Sequence, residues 1–214
     1  MVRKCKNSLK EKEKNKEQTI LEAAEQEFLD KGFEATKTTK IASLAGVSHA
    51  MLHYYYRTKE NLFDMVFDKK INLLKDSLLV LFENQNKPFL ERLQKSIESH
   101  FDFLMTNPNL PRFVMNELLF NSKRMSMFEK KIKEAGSHAL DIISKGIEAE
   151  VKRGTIDPID PVNLLVDIVS MNVFVFVAMP LLRNFAITPY GNEEAFWEMR
   201  KKENVEIILR RLRK

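Results

Sequence analysis

An all-α fold is predicted, and three observations carry the prediction. The 214-residue chain has only six glycines and seven prolines, whereas sheet proteins and α/β proteins with phosphate loops need more of both for their turns. Apolar residues recur three and four positions apart over long stretches, the period of a helix with one buried face. A balance of 44% hydrophobic and 30% charged residues is that of a globular chain with a core, which sets aside the disordered and membrane-embedded classes. The single cysteine, Cys5, excludes an intrachain disulfide and points to a reducing compartment. The basic start runs on into polar residues with no apolar segment, so no secretory signal is expected and the location is read as cytoplasmic.

Taken in order, Ile20, Leu21, Ala24, Phe28 and Leu29 predict a first helix from Glu17 that Gly32 stops. Thr38 is expected to cap a second helix with Ile41, Leu44 and Ala45 inward, ending at Gly46, with Val47 buried in the turn. Ser48 caps a short third helix, HAMLHYYY, so that helix, glycine turn and helix follow one another. Thr58 caps a fourth, whose stripe of Leu62, Phe63, Val66, Phe67, Ile71 and Leu74 predicts a run to about Glu83. A fifth helix spans residues 89–106, a shorter sixth lies within NPNLPRFVMNELLFN, and a long seventh spans 123–153 before Gly154. Pro161, after Asp160, opens an eighth helix that runs through LLVDIVSMNVFVFVAMPLLRNF, and a last one covers 193–213, about nine in all.

The apolar run 168–182 is too short to span a hydrocarbon core of about 30 Å. A helix apolar on nearly every side must be covered on every side, which predicts pairing with a second copy as a homodimer.

Charge is uneven. Residues 1–16 hold seven basic and two acidic residues, an excess equal to the +5 of the whole chain. The stretch 31–59 adds five basic residues against Glu34 alone, and Arg200, Lys201, Lys202, Arg210, Arg211, Arg213 and Lys214 crowd the end. A basic arm beside a small basic domain suits a polyanion, because neutralised phosphates release counterions; a solubilising tail is the plainer reading. On charge alone a helical adaptor or membrane-surface protein competes with a nucleic-acid binder. An enzyme finds little support, since no glycine-rich phosphate loop, nucleophile elbow or paired histidine and cysteine arrangement occurs. His49 and His53 stand four apart, a metal-ligand spacing, but HAMLH lacks the glutamate of a zincin helix and no third ligand cluster accompanies it, so no metal and no cofactor is expected.

The segment ILEAAEQEFLDKGFEATKTTKIASLAGVSHAMLHYYYRTKENLF resembles the N-terminal DNA-binding domain of TetR-family transcriptional regulators without a gap over nearly fifty residues. The resemblance rests on AA and F in the first helix, KGFEAT after it, IA and AGVS in the helix-turn-helix, and LHYYYRTKENLF at its close. It implies three parts: a basic arm at 1–16, a helix-turn-helix domain at 17–63, and a ligand-binding and dimerisation domain at 64–214. It further implies a regulator, as a rule a repressor, that a small effector releases from a palindromic operator in double-stranded DNA. By position in the motif, His49, Ala50 and Met51 after Ser48 would face base edges, and Thr38, Thr39, His53, Tyr54, Tyr55 and Lys59 would contact phosphates. The family commonly has lysine or glutamine at the first of the three base-facing positions, glycine or proline at the second and threonine at the third. The less polar trio here suits a thymine methyl. Tyr55 and Leu52 are also candidates for the core of this small domain.

Methionine and phenylalanine, at 10 and 15, concentrate in the later helices, and flexible thioethers suit a site for apolar molecules. Candidate pocket residues are Phe101, Met105, Phe113, Met115, Phe120, Met127, Met171, Phe174 and Phe176, with His100, Glu117, His138 and Asn172 as polar anchors.

Overall fold

The computed structural model describes the backbone of residues 2–80, 87–183 and 190–213, and side chains from Asn15 onward to residue 77 and within the two later ranges. Among the described residues there are ten helices: α1 (Val2–Ala35), α2 (Thr38–Leu44), α3 (His49–Tyr56), α4 (Lys59–Val80), α5 (Phe89–Thr106), α6 (Leu110–Phe120), α7 (Ser122–Arg153), α8 (Pro161–Val177), α9 (Met179–Leu182) and α10 (Glu193–Leu212). The chain divides into two compact units, residues 1–70 and 71–214, with the division inside α4.

In the first unit, α1 begins well before Glu17, because the lysine- and glutamate-rich start is made of good helix formers with no proline or glycine. Gly32 interrupts it with φ 74° and ψ 178°, a conformation that costs a side chain-bearing residue dearly. The Thr36 hydroxyl then donates to the carbonyls of Gly32 and Glu27 and closes the turn. Ile20, Ala24 and Phe28 of α1 are buried, as are Ile41 and Ala42 of α2, Leu52 and Tyr56 of α3, and Leu62, Phe63, Val66 and Phe67 of α4. Phe63 meets Phe28 edge-on at 4.8 Å and Phe33 at 5.1 Å.

Three expectations here need correction. Leu44 is exposed and Ala42 is buried, because the helical face shared by Ile41, Ala42 and Ala45 leaves Leu44 off its edge. Val47 is only half-buried. Tyr56, not Tyr55, is the core tyrosine: its hydroxyl donates to the Glu17 carbonyl at 2.9 Å, and burial, then Glu17 and Tyr55, push its pKa to about 12. Lys70 and Lys69 both reach Glu25 from α4; burial pushes that carboxyl's pKa up, and the two ammonium groups outweigh it and hold it below the ordinary value.

In the second unit, α5, α7, α8 and α10 enclose a core built from Leu93 and Ile97, Ile143 and Ile147, Leu164 and Ile168, and Ile208 and Leu212. Gly146 is where α5 presses on α7: a Cβ there would lie 2.1 Å from the Phe89 ring. An aromatic cluster continues the core, with Phe176 stacked on Trp197 at 4.7 Å and Phe101 5.3 Å from Phe176. The expected long eighth helix is broken at Ala178, since Pro180 in the first turn of α9 cannot continue the ladder; part of the expected run, and the end expected for α4, lie outside the described residues. Nor is α8 covered all round: Leu164, Ile168, Asn172, Val175 and Phe176 point inward, while Val162, Val166 and Val169 form an exposed apolar stripe. No described helix is long and apolar enough to cross a membrane.

Candidate functional site

The helix-turn-helix is set by backbone hydrogen bonds at the turn. The amides of Gly46 and Val47 donate to the carbonyls of Ser43 and Ala42, and Gly46 adopts φ 64°, the left-handed region that suits glycine. Ser48 caps α3 as expected, its hydroxyl accepting from the Met51 amide at 3.2 Å. Thr58 caps α4 through the Asn61 amide at 3.1 Å. Thr38 does not cap α2: the capping position belongs to Lys37, which offers no side-chain bond, and the Thr38 hydroxyl lies 2.9 Å from His49 Nε2 instead. That bond ties the first residue of α2 to the first residue of α3.

Around it, Thr39, Ser48, His49 and Ala50 are exposed and Met51 and Thr38 half-buried. Leu52 is sealed in the core, so the helix faces inward through Leu52 and Tyr56 and outward through its opening turn. Tyr54 is 68% exposed, with its ring edge-on to the half-buried Tyr55 at 5.4 Å. His53 Nδ1 donates to the Arg57 carbonyl at 2.8 Å and braces Arg57, a non-glycine residue at φ 63°. With Nδ1–H committed, the neutral ring turns an Nε2 lone pair outward, so His53 can donate to a phosphate only when protonated. Lys59 sits over the Phe33 ring at 4.4 Å and donates to the Glu34 carbonyl, which leaves two further N–H groups. Lys37, Lys40 and Arg57, counted in the charge excess of 31–59 but assigned no DNA contact from the sequence, are exposed cations in the same motif.

In the second unit, a cavity of about 260 Å³ lies among α5, α6, α7 and α8. Its walls include Leu104, Leu110, Val114, Leu118, Phe128, Ile132 and Val173, and among the described residues that line it His100 alone has a nitrogen or oxygen in its side chain. His100 is almost wholly buried, and burial lowers its pKa to about 4, so the ring is neutral. Asn172 Nδ2 is 3.2 Å from His100 Nδ1 and 3.0 Å from the Ile97 carbonyl. Asn172 Oδ1 accepts in turn from Asn204 Nδ2 at 2.9 Å, and Asn204 also donates to the Met171 carbonyl.

The sequence-derived pocket residues do not converge on this cavity. Of those named, only His100 and Met115 line it. Phe101 and Phe176 belong to the aromatic core, with Met105 packed against it, and Phe113 is buried. Glu117 is paired with Arg124 in the interior, and Asn172 is enclosed in the amide network. Phe120 is 88% exposed and His138 exposed, while Met127 is half-buried. Met171 and Phe174 instead line a separate open groove of about 730 Å³ with Tyr190 and Met199. A cavity wall and a core share one apolar alphabet, so composition could not separate them. Among the described residues no cluster of three His, Cys, Asp or Glu side chains is placed to hold a metal ion.

Comparison with known proteins agrees on both units. Residues 20–66 match the family model described as bacterial regulatory proteins of the tetR family, and residues 90–208 match that of the tetracyclin repressor-like C-terminal domain. The HTH-type transcriptional regulator RutR of Escherichia coli (strain K12) is 29% identical over 150 residues, 70% of this chain and 68% of that protein. The HTH-type transcriptional activator FasR of Mycolicibacterium smegmatis is 26% identical over 153 residues, 69% of this chain and 68% of that protein. The structure of AibR in complex with isovaleryl coenzyme A and operator DNA is 17% identical, with a TM-score of 0.66 over 90% of this chain and 97% of that chain, and it speaks for the fold. With both domains accounted for over more than half of its length, the chain belongs to the TetR family of transcriptional regulators and is a DNA-binding regulator of transcription.

Proposed function

We propose that the protein is a cytoplasmic repressor that works by binding and not by catalysis: as a homodimer it holds a palindromic operator, and a small, largely apolar effector lowers its affinity for that operator. The observation that carries this reading is the pairing, in one chain, of an exposed α3 opening turn with an apolar cavity in the other unit. His49, Ala50 and Met51 offer one polar and two apolar contacts to base edges, with Ala50 and Met51 suited to thymine methyls. Thr39, Tyr54, Tyr55 and Lys59 supply phosphate contacts, as does Thr38 once it exchanges its bond to His49. Two such heads must stand about one DNA turn apart to enter successive major grooves, which is why a symmetric dimer and a palindromic site go together. The uncovered stripe of Val162, Val166 and Val169 on α8 suits burial against a second copy. FasR is named an activator, so the direction of control needs its own readout.

The test is selection of bound fragments from the protein's own genome, followed by nuclease footprinting and a reporter fused to the recovered promoter. A two-fold symmetric footprint is expected, with affinity falling at least tenfold in Ala50→Glu, which brings a negative charge into the groove of a polyanion, and higher reporter output when the protein is removed. Absence of any preferred site would sink the DNA reading, and lower output on removal would reverse the sign of regulation. By linkage, the effector must also bind free protein better than operator-bound protein.

A further inference from the structure

Beyond its apolar walls, the cavity contains a polar feature that specifies the chemistry of an occupant. Each Asn172 amide hydrogen has a partner, one the Ile97 carbonyl and one His100 Nδ1, and Asn172 Oδ1 is held by Asn204. An amide nitrogen can only donate, so Nδ1 must accept, and the ring proton therefore resides on Nε2. Nε2–H has no hydrogen-bond partner among the described residues, yet it is not among their sealed, unpartnered polar atoms, and its residue lines the cavity. A neutral donor thus stands alone at the edge of a hydrocarbon-walled space, fixed in orientation by side chains from α8 and α10.

Resting on the reading of this cavity as the effector site, we propose that His100 Nε2–H anchors a compact, neutral, carbonyl-bearing apolar molecule such as a ketone, ester, thioester or amide. A lone carbonyl oxygen matches the single donor and leaves the hydrocarbon remainder to the walls. A carboxylate is disfavoured, because no cationic side chain among the described residues lines the cavity and burial keeps His100 uncharged. An ammonium is disfavoured as well, since the one ring acceptor is already engaged by Asn172. The volume of about 260 Å³ falls just below the range of roughly 300–1,000 Å³ that drug-sized ligands occupy, so the molecule is small.

The probes are acetophenone, its near-isosteric hydrocarbon isopropylbenzene, and benzoate at pH 7.5, measured by calorimetry on the full chain, with contacts to the Leu104 and Leu110 methyls locating each ligand by NMR. Acetophenone is expected to shift the His100 15Nε2 resonance. The preference for acetophenone relative to isopropylbenzene should fall about tenfold in His100→Leu, the worth of one net hydrogen bond in a dry site. His100→Gln, which can accept from Asn172 while presenting an N–H to the cavity, should restore part of it. Isopropylbenzene binding to His100→Leu reports that the cavity survives; where that variant does not fold, the wild-type 15N shift and His100→Gln decide. An unchanged preference, or an unmoved Nε2 resonance with acetophenone bound, overturns the anchor and leaves the cavity reading standing. Benzoate binding more tightly than acetophenone overturns the neutral class. Failure of all three probes to bind removes the cavity assignment itself, and this inference with it.

Discussion

The opening turn of α3 and the cavity place histidine in opposite surroundings. His49 stands exposed with a threonine hydroxyl beside one ring nitrogen, and His53 beside it is held by a backbone carbonyl. His100 is enclosed, has a fixed tautomer and is stripped of its charge by burial. The difference teaches that depth sets how firmly a polar group is held. Near water a lost partner is replaced by solvent, while in the interior the orphaned group bears the full desolvation cost. The consequences of disturbing each polar group should therefore rank by burial and, among buried groups, by charge, and three measurements test that order.

The largest effect is expected at the Glu117–Arg124 pair, both members of which are buried. Glu117→Ala takes a carboxylate away from the buried Arg124 guanidinium and should cost about 3–5 kcal/mol in chemical denaturation. A loss below about 1 kcal/mol would mean that water reaches Arg124 and that the burial ranking fails there. Next comes His100. Its folded pKa of about 4 lies below the ordinary 6.5, so between these values the unfolded chain takes up a proton that the folded one refuses. Its contribution to stability is therefore complete above pH 6.5 and declines as pH falls toward 4, by at most about 1.4 kcal/mol per pH unit. An NMR titration should find the His100 ring midpoint near 4; a midpoint at or above 6 would contradict the sealed environment. The smallest effect belongs to the exposed Ser48 cap. Ser48→Ala should lower stability by about 1 kcal/mol in a thermal melt, because water can take the place of the lost acceptor at the Met51 amide.

Legibility followed the same division. The helix-turn-helix could be read because its signals are local: Gly46 for a left-handed turn, and Ser48 and Thr58 for caps. Thr38 was misjudged since its bond to His49 crosses eleven positions, and a local rule gave it a cap that the fold does not use. Tyr55 and Tyr56 are adjacent and chemically alike, so only the packing of α1 against α3, where Tyr56 reaches Glu17, could choose between them. The pocket was the least readable part. Phe120 and Leu104 are both large apolar residues at helical spacing, and nothing local says that one ends exposed while the other lines a cavity.

By itself, the sequence determined the helical class, most element boundaries, the reading motif and the family, because these depend on periodicity, capping and turn chemistry within a few residues. Tertiary structure alone decided where space remains among the helices and which polar group borders it. His100, Asn172 and Asn204 are separated by 72 and 32 positions along the chain, and they form one hydrogen-bonded line only because α5, α8 and α10 pack side by side.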